Sequence, residues 1–204
     1  MCVPEDPGRS GVERRYPGWV PAFSIRTYGD PVLRQRAAEI DDIDGAIRQL
    51  ADGMIETMYA AAGRAVAAPQ VGVEKRLFVY DLNDGAGPHT IVNPVIAELG
   101  GEWTFDEGCL SVPGLYFTLQ RPRDVLVTGW DLDGNELRIE ATELEGRMFQ
   151  LEIEHLEGHL VLERLTPAQR KAAMRILRER QVTDDRPRRG DSVVIDQDGN
   201  VVDD

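Results

Sequence analysis

The chain has no long hydrophobic run: nowhere in its 204 residues do apolar side chains continue for the roughly 20 positions that span a bilayer. No membrane-spanning helix is expected. The N-terminus, with Glu5, Asp6 and two early prolines, also lacks the apolar core of a signal peptide, so the sequence predicts a cytoplasmic protein. Basic charge is scarce. Lys and Arg number 23 against 36 Asp and Glu, a net charge of -13, which argues against a broad nucleic-acid surface and leaves room only for a local basic patch. Cysteine is scarcer still, at two residues. Cys2 and Cys109 could form one bridge at most, and because Cys109 sits in a chemistry-bearing segment, a free, functional thiol is the expectation there.

What is present suits one domain with tails. Residues 1–22 carry Pro4, Pro7, Gly8, Gly11, Pro17, Gly18 and Pro21, and read as a flexible N-terminal extension. The domain is expected over 23–182. Residues 183–204 are polar and charged, with only Val193, Val194 and Ile195 as an apolar run, and read as an acidic, mobile tail with at most a loosely docked strand. Ile43, Ile47, Leu50, Met54 and Met58 recur at helical spacing, with Gly63 as the terminator. Residues 76–82, 90–96, 125–130 and 136–139 read as strands, the last pair joined by an Asp133-Gly134-Asn135 turn. A second helix is expected over 143–162 and a third from Thr166-Pro167-Ala168-Gln169, a capping box with proline at N1, to about Arg180. The fold class is therefore α+β: antiparallel or mixed sheets around a central motif-bearing helix, with an N-terminal and a C-terminal helix.

Three segments carry chemistry. In Glu107-Gly108-Cys109-Leu110-Ser111, a thiolate at Cys109 is a strong ligand for Zn or Fe, and the Leu110 N–H can face a bound carbonyl. In Gln150-Leu151-Glu152-Ile153-Glu154-His155, Glu152 and His155 lie three apart and share a helical face, as a general base beside a metal-binding imidazole would. Gly63-Arg64-Ala65-Val66-Ala67-Ala68-Pro69-Gln70 reads either as a tight helix-to-strand connection or as backbone passing close to a ligand, with Gln70 offering an amide to an oxyanion.

Taken in order, these segments resemble peptide deformylase, the metal-dependent enzyme that removes the formyl group from the N-terminal methionine of new polypeptides. The resemblance covers roughly residues 25–180, and Gly29-Asp30-Pro31-Val32-Leu33-Arg34, Asn93-Pro94 and Val112-Pro113-Gly114 fit it too. It implies that Cys109 and His155 are metal ligands and that Glu152 is the general base. Gln70 and the Leu110 N–H would stabilise the oxyanion, while Gly63, Arg64, Ala65, Val66, Pro113, Gly114 and Tyr116 would line the substrate pocket. The implied metal is Fe(II), replaceable by Zn, Ni or Co, and the implied substrates are N-formylmethionyl peptides of nascent chains. By the same analogy the basic last helix, with Arg170, Lys171, Arg175, Arg178 and Arg180, is a candidate ribosome contact.

The sequence departs from the family at Leu151, where the resemblance expects the first metal-ligand His. Ala65 stands for Gly, and Glu154 for the usual Asp. A hydrocarbon cannot donate a lone pair, so metal affinity should fall by several orders of magnitude. His159, four residues after His155, is one candidate substitute, although its use would move the site about one helical turn from Glu152. Two functions follow: a deformylase whose shell is completed otherwise, or an impaired relative that binds N-terminal peptides or a ribosomal partner.

Overall fold

A computed structural model describes residues 23–183 and 191–203 of the chain. The extension expected over 1–22 lies outside the described residues, as do 184–190 and 204.

Helix α1 (Gly45–Ala60) starts where Asp44 accepts from the Ala46 and Ile47 N–H groups at 2.9 and 3.0 Å. It ends in a Schellman arrangement, with Gly63 N–H donating to Met58 O and Ala62 N–H to Tyr59 O. The residue in the left-handed region is Ala62, at φ 53°, one position before the predicted terminator Gly63. Its Ile47, Met54 and Met58 bury against Val66, Leu77 and Val79.

Those partners belong to a five-stranded antiparallel sheet in the order β1-β2-β3-β6-β7, comprising β1 (Ala65–Ala67), β2 (Leu77–Tyr80), β3 (His89–Gly100), β6 (Asp124–Trp130) and β7 (Glu136–Thr142). A second sheet runs β4-β5-β8-β9, comprising β4 (Trp103–Gly108), β5 (Leu115–Arg121), β8 (Val193–Ile195) and β9 (Val201–Asp203). Here β8 pairs with β5 in parallel and β9 returns antiparallel to β8. The apolar run at 193–195 is thus a sheet strand, with Ile195 fully buried.

Helix α2 (Glu143–Leu156) lies between the sheets and serves both. Phe149, Ile153 and Leu156, at helical spacing, pack on Phe78, Tyr80 and Val127 of the first sheet, with Phe149 meeting Tyr80 edge-on at 4.9 Å. Leu151 points the other way, toward Leu115, Phe117 and Leu119 of β5. The helix is shorter than the expected span of 143–162: it stops at Leu156, because Gly158 turns to φ +80° and the Gly158 N–H bonds back to His155 O. Leu162 follows in a separate 3₁₀ turn (Val161–Glu163). Helix α3 (Pro167–Thr183) begins as its sequence predicts, with Gln169 N–H on the Thr166 hydroxyl and the Thr166 N–H on the Gln169 amide oxygen.

Candidate active site

Three elements meet at one point between the sheets. β4 ends at Gly108 and delivers Cys109; α2 delivers Glu152 and His155; and the 3₁₀ turn after β1 (Ala68–Val71) delivers Gln70. Cys109 Sγ and His155 Nε2 stand 3.1 Å apart. Gln70 Nε2 is 3.8 Å from the same sulfur and 3.2 Å from the Ser111 hydroxyl, while its Oε1 accepts from the Ala67 N–H at 2.8 Å. That last bond fixes which end of the amide faces the sulfur. The turn itself is held from outside by Arg26 N–H on Gln70 O and Tyr28 N–H on Ser111 O, a brace between two motifs.

The four side chains are buried. His155 is fully buried, which holds its imidazole down at about 4 and hence neutral. Burial, reinforced by the Glu107 charge and opposed by the Ala67 N–H, pushes Glu152 up to about 8. Burial raises the Cys109 thiol as well, with Glu152 adding to the effect. Among the described residues three buried side-chain polar atoms lack a hydrogen-bond partner, and two of them, Glu152 Oε2 and His155 Nδ1, belong to this site; the third is Arg147 Nε. Such atoms are costly, and they cluster where ligands or catalysis require them.

The other sequence-predicted residues divide into groups. Leu110 packs over Gly63 so closely that a Cβ there would lie 2.8 Å from Leu110 Cδ1. Tyr116, partly exposed, lays its ring over Gly108, where a Cβ would meet Cε1 at 2.6 Å. Ala65 and Val66 send their side chains into the cores on opposite faces of β1, so only their backbone can meet a ligand. Ala65 needs no left-handed backbone, which explains why its extra methyl is accommodated. The carbonyls of Pro113 and Gly114 are taken by the chain itself, from Arg180 Nη1 at 2.8 Å and Val193 N–H at 3.2 Å. His159 lies past the end of α2, faces solvent and pairs with Glu163 at 2.7 Å. It is not brought to Cys109.

The match to known proteins is extensive. The profile of the polypeptide deformylase family fits residues 22–171. The chain belongs to the peptide deformylase family. The peptide deformylase of Acidothermus cellulolyticus is 42% identical over 155 residues, covering 76% of this chain and 85% of that protein. That of Syntrophobacter fumaroxidans is 45% identical, covering 72% and 89%. Among solved structures, a peptide deformylase from Legionella pneumophila superposes with a TM-score of 0.75 at 36% identity, covering 81% of this chain and 99% of that one. One from Ehrlichia chaffeensis in complex with actinonin gives 0.74, also at 36%, covering 79% and 98%. The α+β fold is that of the deformylases, and the family's reaction is the metal-dependent hydrolysis that removes formyl from an N-terminal methionine. Among the described residues no helix is long and apolar enough to cross a membrane.

The donor set fits that metal only in part. Cys109 Sγ and His155 Nε2 converge, but Leu151, at 7% exposure, is packed into the apolar cluster of β5 and α3, and no group of three His, Cys, Asp or Glu side chains among the described residues could hold an ion. A catalytic shell built on three protein donors is not complete here.

The sequence reading missed two buried arginines, Arg121 and Arg147, and the exposed Arg164 that pairs with Glu154 from the solvent side. They form a charged network directly behind Cys109 and His155.

Proposed function

We propose that the site at Cys109, Glu152, His155 and Gln70 binds the N-terminal formyl-methionine of a peptide and hydrolyses its formyl group. One observation carries this reading: a thiol, an imidazole, an amide donor and a buried carboxyl with one unpartnered oxygen all converge on one buried point beside an edge strand. Among the described residues β1 pairs only with β2, so its other edge can take an extended peptide as an added strand. Gly63 and Arg64 lead into that edge, and Tyr116 and Leu110 close the cleft opposite.

In this reading Gln70 Nε2 and the Leu110 N–H hold the formyl oxygen and stabilise charge as it develops there. Glu152 takes a proton from the attacking water and returns it to the leaving amine, and a carboxyl poised near 8 exchanges protons readily around neutral pH. Cys109 and His155 supply two metal donors. The soft thiolate favours Fe(II), with Zn, Ni or Co as replacements, at an affinity reduced by the missing third donor. Basic side chains of α3, Lys171, Arg175 and Arg178 among them, provide a ribosome contact, and the protein works in the cytoplasm on nascent chains. Arg170 and Arg180 of the same helix each donate to a backbone carbonyl, of Leu162 and Pro113.

A second reading, a binder of N-terminal peptides without turnover, rests on Leu151 alone. Formate release from formyl-Met-Ala-Ser separates the two. The isosteric Glu152→Gln should lower turnover by roughly 100-fold or more while leaving peptide binding intact. Turnover unaffected by that change would remove Glu152 from the mechanism. A complete absence of formate with intact peptide binding would favour the binder.

A further inference from the structure

We propose that Arg121 is a positioning residue that sets the separation of Cys109 and His155 by clamping the strand that carries one to the helix that carries the other. The inference rests on the reading above that these two side chains are working donors. Arg121 sits at the end of β5 and is almost fully buried. Its Nε and Nη2 donate to the two oxygens of Glu107, each at 2.6 Å, and its Nη1 and Nη2 donate to those of Glu154 at 2.7 and 3.0 Å. Both carboxylates are therefore gripped in fork geometry by one planar group.

The sequence positions of those carboxylates give the clamp its meaning. Glu107 lies two residues before Cys109 on β4, and Glu154 immediately precedes His155 on α2. A second tie runs from the other end of the helix. Arg147 Nη1 reaches Glu107 at 3.0 Å while its Nη2 holds the carbonyls of Trp103 and Leu119. α2 is thus pinned to β4 and β5 on both sides of the segment that carries Leu151 and Glu152. Two attachment points on a rigid helix fix its rotation and its axial register, whereas one would fix neither. Arg164 touches Glu154 from the solvent side, with its own side chain mostly exposed, and adds nothing to the link with β4.

Arginine is required for this because only a planar fork can serve two carboxylates at once; lysine keeps the charge and loses the second pair of bonds. The side chain at position 154 matters in the same way. Both Glu154 oxygens accept from Arg121, so Glu154→Gln, which keeps the length and loses the charge and one acceptor, should weaken the link without unpairing Glu107.

The test uses the full chain carrying Cys2→Ser, so that Cys109 is its only thiol, with Arg121→Lys, Glu154→Gln and Arg164→Gln introduced singly. Circular dichroism establishes folding, the rate of Cys109 alkylation by iodoacetamide reports how well the strand-to-helix contact is held, and kcat and KM are read from formate release. For Arg121→Lys the expected results are native circular dichroism, alkylation at least threefold faster, and kcat at least tenfold lower with KM within twofold. Arg164→Gln should leave all of these within twofold. If Arg121→Lys does not fold, Glu154→Gln decides by the same measurements. Folded Arg121→Lys with unchanged alkylation, or equal effects from Arg121→Lys and Arg164→Gln, would overturn the proposal. Should the parent chain release no formate, the alkylation rates still test the clamp, so its failure is distinct from failure of the catalytic reading.

Discussion

Replacing Leu151 by His tests how one side chain divides its contribution between packing and metal binding. Leu151 is 7% exposed and packs against β5 and the residues that follow α2, so removing it forfeits most of a buried leucine's transfer energy, about 1.5–3 kcal/mol. An imidazole placed there without a partner adds a desolvation cost of about 1–3 kcal/mol. In a chain of this size each kcal/mol moves the midpoint by roughly 2–4 °C, so the metal-free variant should melt roughly 5–25 °C below the parent. Metal then acts in the opposite direction. At a free concentration 100 times the variant's Kd, binding returns about 2.7 kcal/mol. If the missing donor costs the parent about 4 kcal/mol of affinity, its Kd is about 1,000-fold weaker, and the same metal stabilises it by less than about 0.1 kcal/mol. Differential scanning fluorimetry of both proteins, with chelator and with a Ni(II) or Zn(II) titration, reads both effects. The reasoning is refuted if the metal-free variant is as stable as the parent, or if the same metal concentration raises both midpoints equally.

Two further predictions concern the frame that holds the site. Ala62 occupies the C′ position of a Schellman motif at φ 53°, a conformation costing a side-chain-bearing residue about 1–2 kcal/mol, part of which glycine gives back in unfolded-state entropy. Ala62→Gly should therefore stabilise the protein by about 0.5–1 kcal/mol in urea unfolding, and a loss of stability would show that the strain is absent. Ile195 is fully buried in the cluster that contains Cys109 and Leu151, so Ile195→Ala should cost about 2–5 kcal/mol if β8 belongs to the cooperative unit. A cost within experimental error would make β8 and β9 an appendage.

Much of this architecture could be read directly from the sequence, and the exceptions have physical causes. The repeat from Ile47 to Met58 gave α1, and the Thr166-Pro167-Gln169 capping box gave the start of α3, because both signals are local. β4 and β5 were not anticipated: in β5 the buried alternation of Leu115, Phe117 and Leu119 continues into Arg121, a charged residue where an apolar one is expected. Arg121 finds its partners 14 and 33 residues away, beyond any local pattern, and the interrupted alternation is the one signal that could have marked it. α2 was read too long because apolar residues continue past Leu156 at compatible spacing, while a positive φ at Gly158 decides the boundary. The site residues themselves were visible as three motifs. Their convergence at 3.1–3.8 Å was not, since it depends on how α2 sits between two sheets.

The proposed deformylase site lacks one metal donor, at position 151. The most direct test purifies the parent protein and Leu151→His without oxygen, then measures bound Fe, Ni and Zn per chain alongside formate release from formyl-Met-Ala-Ser. Substoichiometric metal and slow turnover are expected in the parent, with both rising at least tenfold in the variant. Stoichiometric metal and equal turnover in the two proteins would contradict that expectation.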